Sequence, residues 1–251
     1  MKKTIHEPLL IIVLGFLISV GVMLWVTVFQ GSDAQQLVQD YAREHGLNDR
    51  DYPASLVALL ERNPETESFV LGYPTRQEME IDMSTIDRSQ GVPLLLQWDP
   101  RWGYDTYGDD FVANTGCGPL CLAMAGWYLT GEEQFAPDRV IRFAQNNGYY
   151  SKGNGSSCTL ISEGGQALGL KVKELAMVEK KITDYLKGGN VMIAAMGPGD
   201  FTSTGHYIVL TGYKKGQITV NDPNSLANSQ ALWSYAVLES QIRNLWLIQA
   251  P

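Results

Sequence analysis

The stretch Asn114-Thr115-Gly116-Cys117-Gly118-Pro119, continued by Leu120-Cys121-Leu122-Ala123-Met124-Ala125-Gly126-Trp127-Tyr128-Leu129, constrains the fold more than any other part of the chain. From Leu120 onward it carries no charge, so a helix here has no solvent face and must be wrapped by the rest of its domain. Its start is marked as clearly as its burial. Pro119 suits a first helical turn, where its missing N–H costs nothing, and Gly116 and Gly118 let the backbone bend sharply and leave room for a substrate carbonyl. Cys117 therefore stands at a helix N-terminus. Unpaired N–H groups and the positive end of the macrodipole favour a thiolate there and should lower its pKa, which is what a nucleophilic cysteine requires.

A thiol nucleophile needs a base. Of the three histidines, His6 and His45 lie in the N-terminal segments, which leaves His206. Gly205-His206-Tyr207-Ile208-Val209-Leu210 sets the imidazole at the mouth of an apolar strand, where a loop gives access and a sheet gives rigidity. The imidazole needs an orienting group in turn, and the next strand-like run ends in Val220-Asn221-Asp222-Pro223. Which residue faces the histidine depends on the hairpin. A three-residue loop, Lys214-Lys215-Gly216, sets Tyr213 opposite Gln217 and Ile208 opposite Asp222, making Asp222 the diagonal neighbour of His206. A two-residue loop, Lys215-Gly216, slips the parity and brings Asn221 to that face, and asparagine also serves as orienter in cysteine proteases. Asp222 is the preferred assignment and Asn221 the alternative. The oxyanion that develops on an attacked carbonyl needs donors. The backbone N–H of Cys117 is one by position; Gln97, ending an apolar run in a Trp-rich turn, is the side-chain candidate, its plainer reading being an ordinary turn residue.

Ahead of this body, Lys2 and Lys3 precede an uncharged run from Pro8 to Phe29, long enough for the ~30 Å hydrocarbon core of a bilayer. Its exit, Val28-Phe29-Gln30-Gly31-Ser32, lacks a convincing cleavage site, so residues 1–30 are expected to be a cytoplasmic tip and an uncleaved transmembrane anchor. Lysines on the amino side and Asp33 on the other orient the body out of the cytoplasm, as a single-pass protein of the cell membrane. The alternative is a cleaved signal and a secreted protein. Residues 31–90 are charged, helix-forming and broken by Pro53, Pro64 and Pro74. They are expected to form a helical extension and linker, with Leu56, Val57, Leu59 and Leu60 on one apolar face and a stop near Asn63-Pro64. Such an extension is a prosegment, a spacer or, most simply, a helix docked on the body.

Residues 91–251 form that body. With 45% hydrophobic and 18% charged residues in a 251-residue chain, it has the composition of a globular domain. The net charge of -8, with no basic stripe, argues against nucleic acid as a partner. Three cysteines cannot all pair. No metal or other cofactor is expected. A zinc set of Cys117, Cys121, Cys158 and His206 would need Cys121, which is embedded in the apolar helix. Asp109-Asp110 reads as a solvated turn rather than a calcium site.

The elements expected in order are a short strand near Leu94–Leu96, the Cys117 helix, a helix opened by Pro137-Asp138, and a flexible loop from Gly148 to Cys158. A helix over 159–167 follows, then a strand over 170–175, a helix over 180–186 stopped by Gly188-Gly189, and strands over 191–196, 207–213 and 217–220. Helices come first and strands later, which argues for an α+β domain with an antiparallel sheet. Trp98, Trp102, Trp127 and Trp233 read as core rather than as a groove lining.

Four blocks in order, Gln97-Trp98-Asp99-Pro100-Arg101-Trp102, Gly116-Cys117-Gly118-Pro119, Gly205-His206-Tyr207-Ile208-Val209-Leu210-Thr211-Gly212-Tyr213 and Asp222-Pro223-Asn224, resemble the papain-like cysteine peptidases of family thirty-nine. They look most like its stand-alone bacterial branch, which is related to the domains that process bacteriocin leaders. The resemblance covers about residues 92 to 225, with a looser likeness of Leu-Leu-Glu-Arg-Asn-Pro-Glu-Thr in the extension to the helical extension of these proteins. It implies a papain-like fold, Cys117 as nucleophile, His206 as general base, Asp222 as orienter and Gln97 as oxyanion donor, with a peptide or protein as substrate. The expectation is a membrane-anchored cysteine peptidase working outside the cytoplasm through a thioester. The alternatives are an amidase of cell-wall peptide and a silent binding or scaffolding module on the same fold.

Overall fold

The computed structural model describes residues 32–153 and 155–251. The run Pro8–Phe29 lies outside them, and among the described residues no helix is long and apolar enough to cross a membrane.

By contact the chain divides into two compact units, Met1–Pro53 and Ala54–Pro251. In the first, helix α1 (Asp33–His45) is capped by Ser32 Oγ, which accepts from Gln35 N at 3.2 Å, and ends at Gly46 with φ 66°. The second unit starts with α2 (Ala54–Arg62), whose buried residues are Leu56, Val57, Leu59 and Leu60, and continues through the short helix Glu67–Leu71. Residues 54–90, read from sequence with the extension, thus share a unit with the body.

The body is organised around α3 (Cys117–Thr130), in which every residue from Gly118 to Trp127 is buried. Helix α4 (Pro137–Asn146) packs beside it. Gly126 makes the wrapping close: a Cβ there would lie 2.0 Å from the ring of buried Phe135. After α4 come strand β1 (Lys171–Glu174), helix α5 (Glu179–Lys187), strands β2 (Val191–Met196), β3 (His206–Lys214), β4 (Gln217–Asn221) and β5 (Leu232–Trp233), helix α6 (Tyr235–Gln241) and strand β6 (Ile242–Gln249). The sheet is antiparallel throughout, in the order β1-β6-β2-β3-β4-β5. The α+β class, helices first and antiparallel strands after, is the one expected.

Both sheet faces are covered. Val191, Ile193, Tyr207, Val209, Trp246 and Ile248 belong to the core that holds α3, while Met192, Ala194, Ile208, Leu210, Leu245 and Leu247 pack with Ile182 and Leu186 of α5 and Leu238 of α6. Two-sided burial explains why β2 reads as an unbroken apolar run. Trp102 and Trp127 are core residues.

Three expectations are corrected. The C-terminal strand β6, inserted between β1 and β2, is absent from the sequence reading, which ends its strands at Val220. Leu94–Leu96 form no strand; Leu95 is buried, but the segment has no ladder partner. Within the span read as a flexible loop, Tyr150–Ser151 pairs with Gly155–Ser156 as a small hairpin, and Ser156 is buried.

The β3–β4 hairpin resolves the register question in an unforeseen way. Lys214 pairs with Gln217, so the turn is the two-residue Lys215-Gly216, with φ 53° and 81° as a type I′ turn demands. A bulge at Thr211 then takes up one residue, and beyond it Leu210 faces Val220 and Val209 faces Asn221. That far register is the one a three-residue loop would have given.

Candidate active site

Cys117 opens α3 behind Gly116, whose φ is -82°. Neither flanking glycine adopts a positive φ. Close contact requires them: a Cβ on Gly116 would lie 2.5 Å from Val112 Cγ1, and one on Gly118 2.5 Å from Ser156 Oγ. The second contact seats the Tyr150–Ser156 hairpin on the first turn of α3. Tyr107 Oη lies 3.0 Å from Ser156 Oγ, and Tyr207 Oη donates to Ser156 O at 3.2 Å. Gly118→Ala is expected to overpack this seat and cost about 1–3 kcal/mol. A thermal melt reads it as a lower Tm; an unchanged Tm would mean that the hairpin simply shifts.

His206 is the first residue of β3 and is buried. Its Nε2 donates to Asp222 Oδ1 at 2.7 Å, and Cys117 lies close enough to raise the imidazole pKa. Asp222 is 1% exposed, just past the end of β4. Its Oδ1 also accepts from Asn224 N at 2.8 Å, its Oδ2 from Asn228 Nδ2 at 2.8 Å, and its own N–H donates to Ser229 Oγ at 2.9 Å. Asn221 takes no part: its Nδ2 donates to Val92 O at 2.9 Å, beside Met124 of α3.

The electrostatics follow from that wiring. Burial alone would push the His206 imidazolium down; the charge and hydrogen bond of Asp222, with the nearby Cys117, outweigh it and hold its pKa at about 10. For Asp222, burial works upward, but His206, Asn228 and the Asn224 N–H hold its carboxyl below the usual range. The site therefore contains a buried imidazole–carboxylate pair, its imidazole favoured in the charged form, beside the Cys117 sulfur.

Gln97 lies in a turn, as its plainer reading has it, but is only 4% exposed. Its N–H donates to Pro223 O at 2.7 Å and its Nε2 to Ala113 O at 2.5 Å, so it bridges the Asp222 turn and the turn leading into Cys117. Its Oε1 is buried without a partner. Trp98 Nε1 donates to Asn224 O at 3.1 Å and braces the same turn.

Asn224, Asn228, Ser229 and Trp98 complete the surroundings of Asp222, and sequence reasoning assigned none of them a place there. The Asp-Pro-Asn run announces a turn, but no pattern says that its amides fold back on the carboxylate. Cys121 is buried in α3, and burial, followed by the Cys117 and Asp222 charges, pushes its thiol well up. Cys158 is exposed and accepts from Tyr207 Oη at 3.4 Å. Among the described residues no three His, Cys, Asp or Glu side chains stand together as metal ligands. An open groove of about 980 Å³ between residues 76–83 and Asp105, Glu133 and Asp138 is lined by none of Cys117, His206, Asp222 or Gln97.

Solved structures similar to this one include the peptidase domain of Streptococcus ComA, a bi-functional ABC transporter involved in a quorum sensing pathway. It shares 18% identity at a TM-score of 0.44, over 64% of this chain and 99% of that one. The peptidase domain of Streptococcus mutans ComA in complex with a small-molecule inhibitor shares 20% identity at a TM-score of 0.34, over 41% of this chain and 81% of that one. No curated protein sequence matches significantly. The model of the Peptidase_C39 like family matches residues 89–250, from just ahead of Gln97 to the end of β6. This chain is a member of the peptidase C39-like family.

Proposed function

We propose that this chain is a cysteine peptidase in which Cys117 is the nucleophile, His206 the acid and base, Asp222 the orienter and Gln97 an oxyanion donor. The observation that carries the reading is His206, bonded through Nε2 to buried Asp222 and near enough to the cysteine at the start of α3 for that cysteine to raise its pKa. With Nε2 engaged, Nδ1 is the nitrogen left to serve the sulfur. The Cys117 thiolate attacks a peptide carbonyl carbon, forming the S–C bond and placing the carbonyl pair on oxygen. The Cys117 N–H at the helix start and the second Nε2 hydrogen of Gln97 are the donors for that oxyanion. His206 gives its proton to the leaving nitrogen, the C–N bond breaks, and an acyl thioester remains. Water then attacks, His206 accepts its proton, the C–S bond breaks, and the acid departs.

The body works outside the cytoplasm, held to the cell membrane through residues 8–29. The apolar run and its preceding lysines support this placement.

A peptide carrying a thiol-reactive electrophile tests the chemistry. The full chain is expected to be labelled at Cys117, mapped by mass spectrometry, with labelling lost in His206→Ala. Labelling indifferent to that change would instead favour a binding module. In cell fractionation the full chain should sediment with membranes and residues 32–251 should not; a soluble full chain overturns the anchor.

A further inference from the structure

The turn Asn63-Pro64-Glu65-Thr66 lies outside the residues matched by the family model, and the reaction above makes no use of it. It braces itself: Asn63 Oδ1 accepts from Glu65 N at 3.1 Å, and Thr66 Oγ1, fully buried, donates to Asn63 O at 2.8 Å. That leaves the Asn63 amide and the Glu65 carboxylate to reach across the body to the turn that carries Asp222.

Two routes converge on that carboxylate. On the first, Asn63 Nδ2 donates to Asn224 O at 2.6 Å, and Asn224 N donates to Asp222 Oδ1. On the second, Glu65 Oε1 accepts from Ser225 Oγ at 2.8 Å and from Ala227 N at 3.2 Å, while Oε2 accepts from Leu226 N at 2.6 Å. Glu65 thereby satisfies the N–H groups at the start of the short helix Leu226–Gln230. Ser225, held by Glu65, accepts from Asn228 N at 3.1 Å, and this helix presents the Asn228 and Ser229 side chains to Asp222. Helix capping of this kind is one of the stronger local restraints, and a charged acceptor strengthens each bond. A helix that is merely docked has no need to place three carboxylate contacts on one distant turn.

From this wiring we infer that Asn63 and Glu65 are positioning residues, a clamp that fixes the Asp222 turn and through it the orientation of His206. The inference rests on the active-site reading above. It makes the segment ahead of the family-matched region part of the working peptidase, so that the catalytic domain begins at α2. The clamp acts on the geometry of a buried charge pair, whose strength depends steeply on separation in a poorly screened site. The other titratable groups that bear on the pair are Cys117 and Cys121.

The test needs no substrate. In the full chain labelled with ¹⁵N-histidine, three imidazoles are observed, and the signal missing from His206→Ala assigns the third. His206 is expected to titrate above its ordinary value. In Glu65→Ala and in Asn63→Ala its midpoint should fall by a pH unit or more, a tenfold loss of proton affinity. Alkylation of Cys117 at pH 7 should slow about tenfold. Glu65→Gln, which keeps one acceptor, should fall between, and Glu61→Ala, an exposed neighbour outside the network, should match the wild type. If Glu65→Ala does not fold, Asn63→Ala and Glu65→Gln carry the same test. Folded variants whose His206 titrates as in the wild type would overturn the clamp. A wild-type His206 that titrates at its ordinary value would overturn the active-site reading, and the clamp with it. The two failures appear in different samples.

Discussion

Cys117→Ser is expected to lower peptide hydrolysis by a factor on the order of 10⁴ to 10⁶, with the melting temperature close to that of the parent. The substitution is nearly isosteric at a half-buried position, so packing around the first turn of α3 is kept while the nucleophile changes. A hydroxyl has no accessible anion near neutral pH, and the imidazolium that favours a thiolate by charge gives a neutral hydroxyl no comparable help. His206→Ala is expected to cost a similar factor. Because the two groups act as one unit, the double variant should be no slower than the slower single one. Full multiplication of the two losses would show that they act independently. Cys158→Ser is the matching control: that thiol is exposed and takes its hydrogen bond from Tyr207, not from His206 or Asp222, and its loss should leave the rate within about twofold. The measurement is kcat/KM on any peptide found to be cleaved, at fixed pH and with active protein counted by labelling. A Cys117→Ser protein retaining a tenth of the parent rate would remove the cysteine from the mechanism.

The parts of this fold legible in the sequence are those where one residue type has one structural use. An uncharged helix that starts at Gly-Cys-Gly-Pro can only be buried, and it is. With one histidine in the body, the candidate for a base is named without a structure. The β3–β4 register was legible only as an alternative, and the outcome shows why. The Lys215-Gly216 turn has the residues for a two-residue loop, yet the bulge at Thr211, which nothing local announces, restores the parity that brings Asp222 to His206. Local chemistry set the turn, and tertiary pairing set the register. Strand β6 is apolar enough to be read as a strand, but its place between β1 and β2 is a property of topology. The two flanking glycines have a further reason that the sequence does not offer. They are needed where Val112 and Ser156 press against the backbone, a contact between residues whose approach only the folded chain displays. The Asn63–Glu65 clamp was the least legible part, since its bonds join residues far apart in sequence.

Asp222→Asn is expected to lower kcat/KM by about 10² to 10⁴, the range in which neutralising an orienting carboxylate acts. The structure gives the reason. Burial by itself depresses the His206 pKa, and only the carboxylate and the cysteine reverse it. With an amide at position 222 the charge is gone, so the imidazole should titrate well below about 10 and be largely neutral at pH 7. It would then be unable to hold a thiolate or to protonate a leaving amine. Stability should follow the same logic. His206 has a raised pKa, so its contribution is complete below its ordinary value of 6.5 and lost as pH rises through about 10. Asp222 has a lowered pKa, so its contribution is complete above its ordinary 3.8 and lost as pH falls through the depressed value. The parent should therefore be most stable between about pH 3.8 and 6.5, where both contributions are complete, and lose stability on either side, whereas Asp222→Asn, which removes the titrating carboxyl and with it the cause of the raised His206 pKa, should lose both limbs. Asp222→Ala, which leaves His206 and Asn228 without their acceptor, should cost about 3–5 kcal/mol, as removing one partner of a buried pair does. Asn221→Ala separates the two candidates, because Asn221 bonds Val92 and not the imidazole. It should lower stability modestly and leave the pH profile of kcat/KM where it was. If Asn221→Ala moved that profile and Asp222→Asn did not, the orienter would be the asparagine, reached only by a register that slips in solution.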